Sequence, residues 1–329
     1  MNRQAKYFTE NPDNKYMMLA DNIRHPFNEY IKITVEYGVA GLILAALILF
    51  YPLYHSRKNK SRELSAVRLS LLAVAICATF SYPLNYPFVR LMTVMLLAFL
   101  LAHNEDGRMI IVNNNLVKGI VLAISLGILG STTFQVFCER EWHTIAHRSL
   151  RGGTLRMLSR YKALYKHLRH NDLFLYNYAA ELNVVGHYDE SLQIAYECNA
   201  LWANYDLQML MADNCLQLQQ YDKTERCLKK AAAMCPVKFM PLYRLAELYV
   251  KNGRKEEARI WAQKIVDKEV KIPSPVIHSI KNSMRKLLNE PDSLNGIPQT
   301  NKSGMKPEII TSRQDCLSEH QTPRALLPT

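Results

Sequence analysis

Three observations predict an all-α fold. Four strongly apolar runs lie between residues 39 and 137, a pattern of 33–34 residues recurs between 174 and 272, and the chain after Glu290 turns to Pro, Ser, Asn, Thr and Gln. The first calls for about four transmembrane helices, the second for a stack of helix hairpins and the third for a disordered tail. The chain divides accordingly: 1–38 a polar loop and interfacial helix, 39–137 the membrane helices, 138–290 helical repeats with caps, and 291–329 the tail.

The first part carries a dense polar cluster, Asn22-Ile23-Arg24-His25-Pro26-Phe27-Asn28-Glu29-Tyr30-Ile31, that runs directly into apolar sequence. Arg24, His25, Asn28 and Glu29 bring a guanidinium, an imidazole, an amide and a carboxylate within six residues. Among them only the imidazole exchanges protons near neutrality without help, so His25 is the first candidate for chemistry. Met1 to Asp21 is polar and has no apolar core of the secretory type. Asn11-Pro12-Asp13-Asn14 reads as a turn.

The apolar runs span about Val39–Tyr54, Val67–Phe80, Phe88–Ala102 and Leu116–Phe137. Most fall a little short of the ~20 residues that cross a bilayer, but Tyr51, Tyr54, Tyr82 and Tyr86 flank them as an interfacial belt would. Four buried helices of a soluble protein are the competing reading. The basic segment His55–Arg62 is placed on the cytoplasmic side, which puts His25, the Ser81–Pro87 turn and everything after Phe137 outside. Arg140, Arg148, Arg151 and Arg156 run against that orientation, but long domains cross largely regardless of charge. Pro83 and Pro87 end any helix there and make Ser81–Pro87 a tight external hairpin on the side of His25, either shaping a site or only turning the chain.

In the second half, Gly186-His187-Tyr188-Asp189, Gln219-Gln220-Tyr221-Asp222 and Gly253-Arg254-Lys255-Glu256 recur in step with Ala179, Ala212 and Ala246. A small residue lets two antiparallel helices approach, and a short polar turn reverses the chain between them. Pro236 and Pro273 are expected to end the second helices of the later units. Period and pattern match the tetratricopeptide repeat, and three units are about the minimum for a continuous core. Thr154–His170 and Pro275–Leu288 are expected to cap the stack.

The formal charge of +12 comes with no nucleic-acid motif, so a nucleic-acid partner is not indicated; basic residues beside apolar runs fit anionic headgroups or diphosphate-bearing lipids instead. Seven cysteines show no C-x-x-C or Cys/His spacing, and no metal or cofactor is implied. Pairing among those in an extracytoplasmic domain stays open. The basic run Arg148 to Arg169 is either a solvated helix face or a surface for headgroups or an anionic glycan.

Arg24-His25-Pro26-Phe27-Asn28-Glu29-Tyr30-Ile31, followed by Val35-Glu36-Tyr37-Gly38-Val39-Ala40-Gly41-Leu42, resembles the signature of the bacterial O-antigen ligase/polymerase superfamily. Those inner-membrane enzymes carry a histidine before an Asn-Glu-Tyr-Leu-like run, and some end in a tetratricopeptide-like domain. Here Pro26 and Phe27 separate the histidine from the asparagine, where many members have none between. The resemblance implies transfer of an oligosaccharide from undecaprenyl diphosphate to an acceptor hydroxyl on a glycan, lipid or protein, with a periplasmic repeat domain. It makes His25 the base at the acceptor hydroxyl, Arg24 a diphosphate contact, and Asn28 or Glu29 an orienting group. The plainer reading has Arg24, Asn28 and Glu29 capping an interfacial helix among headgroups. Members need further membrane helices before the histidine, so the chain reads as the C-terminal part of a larger enzyme. The other function is a membrane-anchored repeat scaffold that binds a protein partner and does no chemistry.

Overall fold

A computed structural model describes residues 2–11, 14–20, 27–58, 61–103 and 115–289. Every regular element among the described residues is helical. Arg24, His25 and the 291–329 tail lie outside the described residues. Contacts divide the chain into two units, Ile23–Ile124 and a second made of Met1–Asn22 with Ser125 onward.

The unit Ile23–Ile124 is built on α2 (Glu29–His55), α3 (Arg62–Phe80) and α4 (Pro87–Ala102). Helix α2 starts ten residues before the expected Val39. The Asn28 side chain accepts from Ile31 N at 2.9 Å and caps it, and Lys32 and Glu36, which obscure the membrane signal in sequence, lie within its first turns. The helix breaks at Gly38, whose φ of 71° and ψ of −174° are a backbone region essentially reserved to glycine. One turn later a Cβ on Gly41 would stand 2.3 Å from Tyr37 Cβ, so the bend leaves no room for a side chain there. Ser61 caps α3 through Leu64 N at 3.2 Å. Leu64, Leu71 and Leu100 form the small core, with Leu53, Val67, Leu96 and Leu97 against it.

Outside that core the apolar side chains face outward. Ile43, Leu47, Phe50, Leu69, Ile76, Leu91 and Val94 are all exposed. Among the described residues, three helical segments are long and apolar enough to cross a membrane: Glu29–His55, Arg62–Phe80 and a stretch within Asn115–Leu168. The expected third span, Phe88–Ala102, forms α4, which has only 16 residues and reaches about 24 Å, short of a hydrocarbon core of roughly 30 Å. By length and composition, then, three helices among the described residues qualify rather than the expected four.

The other unit begins with α1 (Asn2–Glu10), resumes in α5 (Asn115–Arg148) and continues through α6 (Thr154–Leu168). Three hairpins follow: α7 (Asp172–Val184) with α8 (Tyr188–Leu201), α9 (Tyr205–Gln217) with α10 (Tyr221–Met234), and α11 (Met240–Lys251) with α12 (Lys255–Asp267). The last helix, α13 (Pro275–Asn289), packs on α12. Helices α6 and α13 therefore occupy the stretches expected to cap the stack. Pro236 follows the end of α10, as expected. Pro273 does not end α12, which already stops at Asp267, and instead stands two residues before α13.

The repeat is visible atom by atom. Ala179, Ala212 and Ala246 are buried where the two helices of each hairpin meet. The three turns share one hydrogen bond, from His187 N to Leu182 O, Gln220 N to Cys215 O and Arg254 N to Tyr249 O, at 2.8–2.9 Å. Each needs a left-handed residue just before the donor, supplied by Gly186, Gln219 and Gly253. Between the first two hairpins a buried polar chain runs from Ala179 O through Ser191 Oγ and Asn214 to Asn183, which also donates to Asp213.

Helix α1 packs on α10. Ala5 and Phe8 are buried, and Gln4 Nε2 donates to Met234 O at 2.9 Å. The six described cysteines, Cys77, Cys138, Cys198, Cys215, Cys227 and Cys235, are all free thiols, and those of Cys215 and Cys227 hydrogen-bond to each other.

Candidate functional site

Each unit presents one candidate surface. In the unit Ile23–Ile124 it is the N-terminal end of α2, where Asn28 and Glu29 meet the Ser81–Pro87 hairpin. Asn28 Nδ2 donates to Thr79 O at 2.9 Å while its oxygen caps α2, and Tyr30 OH donates to Ala75 O at 2.8 Å. Lys32 Nζ donates to Asn85 Oδ1 and lies 3.7 Å from Glu29 Oε1. The ring of Phe27 stands 5.7 Å from that of Tyr82, and Tyr82 stacks on Tyr86. The hairpin thus lies against the N-terminal end of α2.

Glu29 is only 4% exposed, and its Oε2 has no hydrogen-bond partner among the described residues. A carboxylate in that state costs free energy unless something completes its pairing. Lys32, which composition and motif did not single out, faces it, and Asn85 in turn accepts from Lys32. The signal available for Lys32 was its spacing, three residues after Glu29 on one helix face. The structure brings Asn28 and Glu29 to one place. The two remaining site residues, Arg24 and His25, fall outside the described residues.

The second surface is a cleft between α9 and α11, with α10 as its floor. It is lined by Asp213, Thr224, Leu228, Arg244, Glu247 and Lys251 among others. Arg244 Nη1 lies 3.3 Å from Glu247 Oε2, and both side chains are largely shielded from solvent. Burial pushes the Glu247 carboxyl above its usual range, while Arg244 and the Tyr243 hydroxyl pull it back. The alternation of sign from Asp213 to Lys251, with Leu216, Leu228 and Leu248 between, suits an extended segment carrying both charge and apolar side chains.

Three histidines outside the candidate cluster contact other rings. His143 and His147 are half-buried with Nε2 atoms 3.2 Å apart, and His167 sets its ring edge-on to Phe134 at 5.0 Å. No group of three or more metal-ligating side chains occurs among the described residues.

No protein-family model matches the chain, and no curated protein sequence matches it. Among solved structures, the crystal structure of MamA protein aligns with a TM-score of 0.39 at 14% identity, over 57% of this chain and 96% of that one. The MamA RS-1 ArsTM double mutant aligns with a TM-score of 0.39 at 16% identity, over 55% of this chain and 96% of that one. Superpositions this loose carry no functional argument. The tetratricopeptide-like reading stands on the three matching hairpins themselves.

Proposed function

We propose that this chain is a membrane-anchored helical-repeat protein whose α9–α11 cleft binds a protein partner. The observation that carries it is the cleft itself, built by successive repeats and edged by charges of both signs. A photo-crosslinking side chain placed at Lys251, on the cleft rim, is expected to give one discrete adduct in cells, lost on Glu247→Lys. The same probe at Arg226, on the exposed face of α10, is expected to give none. Equal adducts from both positions, or none from either, would remove the cleft as the binding surface.

The anchoring part crosses the membrane four times in this proposal, with α4 as the short fourth helix. Support comes from α1, which precedes the first span yet packs on α10, beyond the last. Both must lie on one side of the bilayer, so the number of crossings between them is even. Reporter fusions after residue 58 and within 104–114 are expected to report the same side, opposite to a fusion after residue 170. Opposite sides for the first two would leave α4 uncrossed. By the basic segment 55–62, the repeats then lie outside the cytoplasm, on the periplasmic side of a bacterial inner membrane.

One observation favours a second reading, the shielded Glu29 beside Lys32 and Asn85. It falls on the residues that resemble the O-antigen ligase/polymerase signature. In that reading the chain is the C-terminal part of a glycosyltransferase acting on undecaprenyl-diphosphate-linked glycan, with His25 as base, Arg24 on the diphosphate, and Asn28 and Glu29 as orienting groups. The test is acceptor glycosylation in cells carrying the complete locus. His25→Ala at matched membrane levels is expected to abolish transfer, and undiminished transfer would withdraw the reading.

A further inference from the structure

Helix α6 turns back along α5, and the contacts fix how far. Trp142 on α5 and Tyr161 on α6 donate to the same oxygen, Asn177 Oδ1, at 2.9 and 2.7 Å. Arg160 then pairs with Glu141, and His167 meets Phe134. Each step forward on α6 is a step backward on α5, so the C-terminal end of α6 lies level with Phe134. Phe134 belongs to the apolar stretch Leu116–Phe137, whose large side chains are exposed throughout. The end of α6 has therefore been carried back to where α5 becomes apolar.

What α6 brings to that level is cationic. Lys162, Lys166 and Arg169 are exposed there, with His167 and His170 beside them and Arg140 one turn past the apolar stretch on α5. From residue 138 to 171 there are eight Lys and Arg against two carboxylates. Glu141 is engaged with Arg160, and Glu139 faces Gln135 on its own helix. No acidic residue occurs between 142 and 171, so nothing on α6 itself neutralises the patch. The carboxylates on packed elements are Glu197 on α8, which accepts from Tyr165 OH, and Asp172 in the first turn of α7.

We propose that the cationic end of α6 rests on the acidic phospholipid headgroups of the leaflet from which α5 emerges. The inference rests on the membrane-anchored reading. Charge complementarity and continuity with the apolar surface of α5 carry it. Lysine and arginine at this depth attract anionic headgroups, and the attraction fades within a Debye length. The helix is thereby a foot on the bilayer, steadying the first repeat against the membrane plane.

The test uses the full chain in nanodiscs of phosphatidylcholine alone or with a third phosphatidylglycerol. Amine acetylation of Lys162 and Lys166 is followed by mass spectrometry against Lys223, an exposed lysine on α10. Adding phosphatidylglycerol is expected to slow labelling of Lys162 and Lys166 by about five-fold relative to Lys223, and high salt to abolish the difference. Lys162→Gln/Lys166→Gln is expected to retain less phosphatidylglycerol through gel filtration while entering both discs normally. Labelling that is indifferent to lipid charge, in protein that has entered both discs, overturns the headgroup contact and leaves the anchored reading standing. Failure to enter discs of either composition overturns both.

Discussion

Replacing Asn177 by leucine is expected to destabilise the repeat unit by about 2–6 kcal/mol, because two buried donors lose their shared acceptor at about 1–3 kcal/mol each. Asn177 is fully buried, and its side-chain oxygen takes hydrogen bonds from Trp142 Nε1 and Tyr161 OH. Three helices, α5, α6 and α7, meet on that one atom. Leucine fills a similar volume, so no cavity arises, and it also removes the buried Asn177 Nδ2, which has no partner among the described residues and so sets the loss toward the lower end of that range. Urea unfolding of the full chain in detergent, followed by proteolysis of the repeats, measures it. Tyr161→Phe in the Asn177→Leu background is expected to recover part of the loss, since the hydroxyl no longer needs an acceptor. An unchanged midpoint in Asn177→Leu, or no recovery in the double variant, would show that the junction is held by packing only.

The second large effect falls on α2. The double substitution Gly38→Ala/Gly41→Ala is expected to cost roughly 3 kcal/mol or more, since a forbidden backbone region and a close contact are each worth about 1–3 kcal/mol. At Gly38 nothing lies within 4 Å of an added Cβ, so its penalty is purely conformational. At Gly41 the obstacle is Tyr37 Cβ, which is fixed to the backbone and cannot rotate aside. Both penalties vanish if α2 straightens, and straightening pulls Asn28 and Tyr30 away from Thr79 O and Ala75 O. Thermal stability in detergent is expected to fall, together with crosslinking between cysteines placed at Ile31 and Thr79. Unchanged values in both measurements would mean that the break is not needed.

Much of this architecture is written locally. The repeats were legible because a hairpin must bury a small residue and make a left-handed turn, and both demands recur every 33–34 residues. The caps were legible because amphipathic period survives without the repeat signature. The start of α2 was not, since Lys32 and Glu36 interrupt the apolar pattern that marks a span, and only the Asn28 cap announces the helix. The candidate cluster was legible as composition, yet its partner Asn85 lies 53 residues away and no spacing rule connects them. Asn177 stood in plain view within Leu173-Phe174-Leu175-Tyr176-Asn177-Tyr178-Ala179, where a lone amide in an apolar run signals a buried acceptor or donor. The docking of α1 left no trace, because its nine mostly polar residues bury only Ala5 and Phe8.

That docking sets an order on biosynthesis. Gln4 and Met234 are 230 residues apart, so α1 is made first and its seat last among the elements it touches. At about 5–20 residues per second, the interval is roughly 10–50 s. Throughout it Phe8 lacks its seat on α10, while the first repeat assembles. Closure of α1 on α10 is then a late event that waits for the second hairpin, which makes this short helix a mark of assembled repeats.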